Sequence, residues 1–319
     1  MRKDILPSIN LYDEVSHLVR QIPRGSVSTP KRISEALGDP KAIKAVIEIL
    51  KDWERSEDLP VHRVITENGE PLGSNEVKER FMRVLEEEGV EMSANVVSDV
   101  DLYLFNKFRS GFPLRKIAEL QQSLAQDLVL ENKFNVPIRA VAAVDVAYKG
   151  RSGFGFFVIM NCEFRTLQEE YVQAEVSFPY ISGYLAFREA PVILKALEKA
   201  CWEYDAVMIN GQGIAHPRGC GLASHVGLIL DRPTIGITIR KLAGNLLLRR
   251  GSSPLIEHQG RIVGAWIERA GLAPIYVSPG NNITLQRSIE TVRAFLKQHR
   301  VPEPLWKAHE GAKRILQRR

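Results

Sequence analysis

Three polar residues stand at the ends of apolar segments or inside them. Asp145 interrupts VAAVDVAY, Glu189 lies just inside the predicted helix LAFREAP, and Asn210 ends VMIN. A carboxylate in an apolar strand is costly to bury unless it is paired or binds a metal ion. Acids on a strand and a helix, with a polar group on a neighbouring strand, could converge on one ion. Oxygen ligands favour Mg²⁺ or Mn²⁺, and such ions activate water for phosphodiester cleavage.

Each of these residues also has an ordinary structural interpretation. Asp145 could cap a turn at a strand end, and Glu189 alone would more often be a solvated helix residue. His216 would more often be a turn residue, because Pro217 follows it. The spacing alone leaves both the metal site and these interpretations open.

The elements that must position these residues are predicted from apolar periodicity. Strands are predicted in IRAVAAVDVAYKG, GFGFFVIMNCEF, EEYVQAEVSF, DAVMIN, PTIGITIRKL and APIYVSPG. Helices are predicted in LRKIAELQQSLAQDLVL, GYLAFREAPVILKALEKACW, SHVGLIL, TLQRSIETVRAFLKQH and EPLWKAHEGAKRIL. Strands in succession, then strands alternating with helices, predict an α/β fold with a mixed sheet covered by helices.

The N-terminal part is predicted to be mostly helical. In STPKRISEAL, Ser28 or Thr29 is suited to the N-cap and Pro30 to the first helical position. Gly38 then ends the helix, and GDPKAIKAVIEILKD continues through a tight turn into another helix. Two short helices around such a turn resemble a helix-turn-helix.

Charge is distributed unevenly along the 319 residues, whose net charge is +5. Residues 1–93 carry a net charge of −4 and residues 94–319 a net charge of +9. The basic excess favours a polyanionic partner for the C-terminal part, although ordinary surface lysines explain it equally well. The N-terminus lacks the pattern of a secretion signal, and three scattered cysteines are typical of a reducing cytosol. We expect a cytoplasmic, nucleoid-associated monomer.

Several segments in order resemble the endonuclease V family. They are VAAVDVAY, FPYISGYLAFREAP, NGQGIAHPRGCGLASHVG, PTIGITIRKLAG, YVSPGNNITL and PEPLWKAHEGAKR, and together they cover about residues 112–319. The resemblance implies a ribonuclease H-like fold and a Mg²⁺- or Mn²⁺-dependent nuclease. It also implies cleavage of DNA or RNA at the second phosphodiester 3′ to a deaminated purine, chiefly the hypoxanthine of inosine.

The resemblance also implies roles for individual residues. Asp145 and Glu189 match metal-binding and catalytic acids, Asn210 stands at the third metal position, and His216 matches a histidine near the scissile phosphate. The implied strand wedge and lesion pocket comprise Pro179, Tyr180, Ile181, Ser182, Gly183, Leu185, Gly211 and Gly221. Ser182 departs from the usual wedge, which has proline there. An aromatic side chain such as Tyr180 would stack in the gap left by a flipped base.

Two departures from the family pattern bear on catalysis. Asn210 replaces an aspartate and Ile239 replaces a lysine, so both positions are degenerate. Lys241, two residues further on, would share the strand face of Ile239 and substitute for the lost cation in part.

Four explanations of Asn210 are open. The nuclease has decayed into a lesion-binding protein, it is a weak enzyme, or Asn210 was engineered to hold uncut substrate. Alternatively, Asn210-Gly211 deamidates and restores an acid, since Asn-Gly is the sequence most prone to that reaction. We favour decay or strong impairment, with weakened metal affinity.

The N-terminal part resembles the DNA-binding half of the O6-alkylguanine alkyltransferases and their alkyltransferase-like relatives. IPRGSVST, the helix-turn-helix and PVHRV followed by LGS carry the resemblance across about residues 9–92. Lys31, Arg32, Lys44 and Arg63 are the DNA-binding residues that it implies. We predict an alkyltransferase-like domain over 1–92, a linker over 93–111 and an endonuclease V-like domain over 112–319.

This N-terminal part has lost the alkyl acceptor. Val61 stands where the family has a nucleophilic cysteine, so alkyl transfer by this chain is excluded on chemical grounds. Lys44 replaces the arginine finger and Pro30 the tyrosine that assists nucleotide rotation. The domain could still bind lesions and recruit repair factors, or it could be a vestigial clamp.

Three hypotheses follow: an impaired endonuclease for inosine-containing nucleic acid, a damaged-DNA-binding protein that does not cut, and a structural fusion in which neither site works. Both resemblances point to nucleic-acid repair, which favours the first two.

Overall fold

The chain divides into two compact units. The structure, a computed structural model, describes residues 5–56, 58–133, 137–248 and 254–318. The C-terminal unit comprises Met1–Pro7, Ala118–Val176 and Gly183–Arg319, and the N-terminal unit comprises Ser8–Ile117 and Ser177–Ser182. The predicted domain boundaries at 92 and 112 stay predictions.

The first part of the chain is mainly helical. Its elements are α1 (Leu11–Val19), α2 (Pro30–Leu37), α3 (Ile43–Asp52), α4 (Asn75–Glu87), β1 (Met92–Ser93), β2 (Val96–Val97), α5 (Val100–Tyr103) and α6 (Pro113–Leu124). The Thr29 side chain accepts a hydrogen bond from the Arg32 N–H, and Pro30 occupies the first turn of α2. Gly38 ends α2 with a φ of 103°, which favours glycine. The predicted capping and helix-turn-helix are therefore present.

Part of the segment predicted as a linker has regular structure. β1 and β2 pair antiparallel around Ala94 and Asn95, which both have positive φ angles. Val97 of β2 is buried in a cluster that includes Val27 and Leu85. Strands of two residues have no periodicity that the sequence could show, so this hairpin was missed.

A partly buried ion pair connects the end of α4 with the 3₁₀ turn Val61–Arg63. Arg63 Nη2 lies 2.6 Å from Glu88 Oε1, and His62 Nε2 lies 3.1 Å from the same oxygen. Burial alone would raise the pKa of Glu88, but hydrogen bonds from Arg63, His62 and the Gly25 N–H outweigh it and lower the pKa to about 2. The ionised carboxylate therefore stabilises this part of the fold.

We expect Glu88→Gln to lower the free energy of unfolding at pH 7 by about 2 kcal/mol, because a charged hydrogen-bond acceptor is lost. The folded pKa is lower than the ordinary 4.5, so the stabilisation is complete above pH 4.5 and is lost as pH falls towards 2. Urea unfolding of both proteins across this range measures the difference. Glu87→Gln, at the exposed end of α4, is the matched control. A constant difference down to pH 2 would contradict the assignment.

The C-terminal unit is built on a nine-stranded mixed sheet. The strands are β3 (Ala140–Lys149), β4 (Ser152–Asn161), β5 (Thr166–Glu175), β6 (Ala206–Asn210), β7 (Thr234–Thr238), β8 (Asn245–Leu247), β9 (Leu255–His258), β10 (Arg261–Arg269) and β11 (Leu272–Asn281). The helices are α7 (Leu185–Leu197), α8 (Leu222–Leu230), α9 (Leu285–Ala294) and α10 (Glu303–Gln317). The strand order is β5-β4-β3-β6-β7-β11-β10-β9-β8.

The central strands of this sheet are parallel and the flanking ones antiparallel. β3 pairs parallel with β6, and β6 pairs parallel with β7. Alternating side chains of these strands enter two separate cores. Val144 and Ile209 pack in the cluster that includes residues of α7 and α8, whereas Ala143 and Met208 pack in the cluster that includes residues of α9 and α10. Helices cover both faces, which confirms the predicted α/β class.

One prediction in this unit is wrong, and three of its strands were not predicted. The strand predicted in PTIGITIRKL ends at Thr238, so Lys241 lies beyond β7 and does not share a strand face with Ile239. The sequence also gave no prediction for β8, β9 and β10, although RIVGAWIER forms a nine-residue strand. Its alternation is interrupted where register shifts occur between Ile262 and Gly264 and between Ile267 and Arg269, which weakens the pattern.

No helix in the described ranges has both the length and the hydropathy that crossing a membrane requires.

Candidate active site

Asp145 and Asn210 meet at one edge of the sheet. In the parallel pair, Val144 lies opposite Ile209, so the next residue of each strand lies at the same level. Asn210 Nδ2 donates to Asp145 Oδ1 over 3.1 Å. Asp145 is only 8% exposed. The structure therefore brings these two candidate site residues into contact.

Glu189 lies on α7 close enough to Asp145 for their charges to interact. Burial, and secondly the negative charge of Asp145, raise the pKa of Glu189 to about 8. A buried carboxyl group whose pKa is raised beside a second carboxylate is typical of a site suited to a cation. The preceding residue, Arg188, places its guanidinium 3.9 Å from the centre of the Tyr148 ring.

His309 is a site residue that the sequence analysis missed. Its Nδ1 donates to Asp145 Oδ2 over 2.6 Å, from the middle of α10. This hydrogen bond raises the pKa of His309. The segment PEPLWKAHEGAKR carries the family resemblance and predicts a helix, but neither assigns a role to His309. One sequence signal could have found it: His309 stands at helical spacing from Leu305 and Ala312, which are both buried.

The glycine-rich loop after β6 lies directly on backbone of β11. A Cβ on Gly213 would lie 2.0 Å from the Pro279 carbonyl oxygen, so no other residue fits there. The Gly213 N–H donates to Ser278 Oγ over 2.8 Å, and the Gly221 N–H donates to the Gly213 carbonyl over 3.0 Å. The loop is thereby held as a fixed backbone surface. Its first residue, Gly211, packs against Leu222.

His216 and Arg218 of this loop both contact Gly183. His216 Nε2 lies 3.1 Å from the Gly183 carbonyl oxygen, and Arg218 Nη2 donates to the same oxygen. Gly183 has a φ of 85°, and a Cβ there would lie 3.2 Å from Arg218 Nη2. Leu185, two residues further on, begins α7. The structure thus brings His216 and the implied pocket residue Gly183 together.

We expect Gly183→Ala to lower the free energy of unfolding by about 1–2 kcal/mol, because a Cβ strains this positive φ. The lost contact should add to that loss, since the new Cβ displaces Arg218 from the Gly183 carbonyl. Gly150→Ala is the matched control, with a φ of 55° and nothing within 4 Å of its Cβ. Urea unfolding of both variants separates strain from contact. An equal loss of stability in both would contradict the role of the contact.

The implied wedge residues differ in exposure. Tyr180 is 60% exposed, as a stacking side chain requires, whereas Ile181 is 2% exposed. Pro179 is buried and Ser182 is exposed.

Ile239 places no charge at the position where the family has lysine. Its side chain is 49% exposed, just after β7 ends. Arg300 Nη2 lies 3.4 Å from the Ile239 carbonyl oxygen and 2.7 Å from that of Pro274, so this guanidinium is bound to backbone.

The donor set fits a divalent cation, with one charge fewer than three carboxylates would supply. Asp145 and Glu189 are neighbouring acids, and Asn210 adds a neutral amide group at the same edge. Among the described residues, no cluster of three or more His, Cys, Asp and Glu side chains is arranged as a metal site. Asn210 is not one of these four residue types, so the group of Asp145, Glu189 and Asn210 contains only two of them.

In the N-terminal unit, Val61 is 2% exposed and lies beside the His62–Glu88 pair. Among the implied DNA-binding residues, Lys31 and Lys44 are exposed and Arg32 pairs with Glu35 at 3.1 Å. Arg63 differs from them because its guanidinium donates to Glu88 and to the Ile22 carbonyl.

Comparison with known proteins identifies both parts of the chain. Residues 122–310 match the family described as Endonuclease V. Residues 10–90 match the family described as 6-O-methylguanine DNA methyltransferase, DNA binding domain.

Individual relatives agree with this division. A bifunctional methyltransferase/endonuclease of Picrophilus torridus is 34% identical over 309 residues, which cover 96% of each chain. The crystal structure of endonuclease V from Streptomyces avermitilis superposes with a TM-score of 0.59 at 30% identity, covering 64% of this chain and 93% of that one. Endonuclease V of Ciona intestinalis, in complex with a DNA containing an inosine followed by a ribo-adenosine, has a TM-score of 0.58 at 22% identity. That match covers 64% of this chain and 98% of that one, and shows the common fold.

The chain therefore belongs to the endonuclease V family and carries, ahead of that domain, a segment that matches the DNA-binding domain of 6-O-methylguanine DNA methyltransferases.

Proposed function

We propose that this protein recognises deaminated purines in DNA, chiefly the hypoxanthine of deoxyinosine, and cuts the second phosphodiester 3′ to the lesion at a reduced rate. The observation that carries the proposal is the group at the sheet edge. There Asn210 donates to Asp145, and the charge of Asp145 contributes to the raised pKa of Glu189. This arrangement supports a nuclease site in which an amide stands at the position of one acid.

Asp145, Glu189 and the Asn210 amide oxygen would hold Mg²⁺ or Mn²⁺. A divalent cation bound there would lower the pKa of a water molecule and stabilise negative charge on the phosphate. His309 donates to Asp145, which orients that carboxylate. The missing charge of Asn210 weakens cation binding, because one unit charge at 4 Å contributes about 4 kcal/mol at an effective dielectric constant near 20.

The remaining site residues would recognise the lesion. Tyr180 is exposed and would fill the gap left by the flipped nucleotide. The fixed backbone at Gly183, Gly211 and Gly221 would approach the planar base closely and read its edge. His216 would lie near the scissile phosphate.

A second candidate function is a damaged-DNA-binding protein that does not cut. Asp145 supports this alternative, because both of its carboxylate oxygens already accept hydrogen bonds inside the protein. The N-terminal unit has valine at the acceptor position. Lys31 and Lys44, with Arg32, would contact the DNA backbone in either case. Inosine-containing RNA and repair factors are further proposed partners, and we propose that the chain acts as a monomer.

The experiment that tests lesion recognition is a binding titration at several salt concentrations. Fluorescent duplexes with and without a single deoxyinosine are titrated with the protein in Mn²⁺ and in EDTA. We expect tighter binding of the inosine duplex at every salt concentration. We also expect both affinities to fall linearly on a log–log plot as phosphate contacts are screened. Equal affinity for the two duplexes would contradict the proposal.

A further inference from the structure

We propose that Arg218 and Gln121 are positioning residues that fix the Gly183 carbonyl and the His216 ring in the lesion-recognition site. The four residues form a connected set of hydrogen bonds, the Arg218 network, within the C-terminal unit. The inference rests on the proposed function for the identity of the ligand, but not for the geometry of the network.

The Arg218 guanidinium is engaged on several sides. Its Nε donates to Gln121 Oε1 over 2.8 Å, and its Nη2 donates to the Gly183 carbonyl. Its central carbon lies 4.3 Å from the centre of the Tyr184 ring, which is almost completely buried. Only a planar group with several fixed donors can satisfy these contacts together, so lysine is not an equivalent replacement.

The same network fixes the orientation and tautomer of His216. Nδ1 accepts from the backbone N–H of Arg218 over 3.2 Å, and Nε2 donates to the Gly183 carbonyl over 3.1 Å. These partners assign the ring proton to Nε2. The Gly183 carbonyl thus receives two donors, one for each lone pair, which fixes its direction. Any shift of Arg218 changes the surroundings of both His216 and Gly183.

Gln121 joins this network to the far end of the glycine-rich loop. It lies on α6 and is fully buried, with 0% exposure. Besides accepting from Arg218, it donates through Nε2 to the Cys220 carbonyl over 2.9 Å. Cys220 immediately precedes Gly221, which lines the implied lesion pocket. A buried amide that is satisfied at both ends specifies one arrangement of its neighbours.

The network therefore connects Gly183 and Gly221, two of the glycines that are implied to line the lesion pocket. A backbone pocket distinguishes one base from another only if its donors and acceptors are held within a fraction of an ångström. Contacts with the DNA phosphates do not depend on that precision. Loss of Arg218 or Gln121 should therefore reduce selectivity for inosine more than it reduces affinity for plain duplex.

The test compares Arg218→Lys and Gln121→Leu with two reference variants. Gln121→Glu keeps the acceptor for Arg218. Arg232→Lys is the matched control, because Arg232 also lies over a tyrosine ring, that of Tyr204, and donates to a backbone carbonyl. It precedes β7, at the opposite end of that strand from the site. The quantity measured is the ratio of the dissociation constants for plain and inosine-containing duplex.

We expect this ratio to fall about tenfold for Arg218→Lys and Gln121→Leu, and to stay within about twofold for Arg232→Lys. Gln121→Glu keeps the acceptor for Arg218 but loses the donor to the Cys220 carbonyl, so it should lose selectivity to a smaller extent than Gln121→Leu. Thermal unfolding of all four variants shows whether lower stability accompanies the change. An unchanged ratio in both Arg218→Lys and Gln121→Leu, or an equal fall in Arg232→Lys, would overturn the inference.

Imidazole ¹⁵N chemical shifts test the network independently of any ligand. His216, identified by the signal missing from His216→Asn, should show a single neutral tautomer with the proton on Nε2. Arg218→Lys should show a mixture of tautomers, and an unchanged signal would overturn the inference. If the starting protein shows no preference for inosine, the proposed function fails, while this spectrum still decides whether Arg218 positions His216.

Discussion

Asn210→Asp is expected to raise the cleavage rate of an inosine-containing duplex in Mn²⁺ by about a hundredfold. The substitution removes the amide that donates to Asp145 and adds a carboxylate at the same edge of the sheet. A divalent cation gains about 8 kcal/mol from one unit charge at 4 Å before desolvation is subtracted, and a third of that corresponds to about a hundredfold. Initial rates at saturating protein measure the effect.

The same variant should show the change without DNA. Mn²⁺ titrations followed by electron paramagnetic resonance should give a correspondingly tighter dissociation constant. In EDTA the variant should be less stable than the starting protein, because a second carboxylate beside Asp145 replaces the amide that donated to it. Mn²⁺ should reverse that loss.

Asn161→Asp is the matched control for this variant. Asn161 ends β4, and its Oδ1 accepts from the Glu163 and Arg165 backbone N–H groups, a role that aspartate retains. It lies opposite Ala140, at the far end of β3 from Asp145. Neither Mn²⁺ affinity nor cleavage should change in this control. If Asn210→Asp behaves in the same way, the lost charge is not what limits the enzyme.

Asp145→Ala is expected to abolish the activity gained by Asn210→Asp, with a loss of about a thousandfold. Asp145 is one of the two original carboxyl groups of the proposed cation site and the acceptor for His309, so its removal takes away a cation ligand and leaves His309 without that acceptor. A thousandfold corresponds to about 4 kcal/mol, within the range that a catalytic cation contributes to charge stabilisation. Cleavage by the double variant, relative to Asn210→Asp alone, measures the loss.

Affinity for the inosine duplex should survive Asp145→Ala in EDTA, because the proposed function assigns recognition of the base to the wedge and the glycine backbone. Glu169→Ala is a suitable control, since Glu169 also pairs with a residue of α10, Lys307, at 2.7 Å. That control should cleave at the rate of its parent. Undiminished cleavage by the Asp145 variant would place the chemistry elsewhere.

Much of the C-terminal fold could be predicted because its elements have strong local patterns. The apolar segments around Asp145 and Asn210 are long and have defined ends, and both are strands in the structure. Thr29, Pro30 and Gly38 specify the ends of α2 through backbone chemistry that acts locally. Local patterns of this kind need no knowledge of tertiary packing.

What could not be predicted depends on contacts distant in sequence. His309 and Asp145 are 164 positions apart in the sequence, and Arg218 and Gln121 are 97 positions apart. No local periodicity therefore predicts either contact. The end of β7 at Thr238, which separates Lys241 from the strand, is a boundary, and boundaries are weakly encoded. The resemblance to a family supplied roles for Asp145 and Glu189, whereas the structure supplied their partners.

The most direct test of the central claim is a parallel time course of inosine-duplex cleavage by the starting protein and by Asn210→Asp/Ile239→Lys. Both are assayed in Mn²⁺ and in Mg²⁺. Intact-mass measurement of the starting protein excludes molecules in which Asn210 has already deamidated. We expect slow cleavage by the starting protein, a large gain in the double variant, and products cut at the second phosphodiester 3′ to the lesion. Equal rates for the two proteins would contradict this expectation, and would mean that other ligands hold the metal.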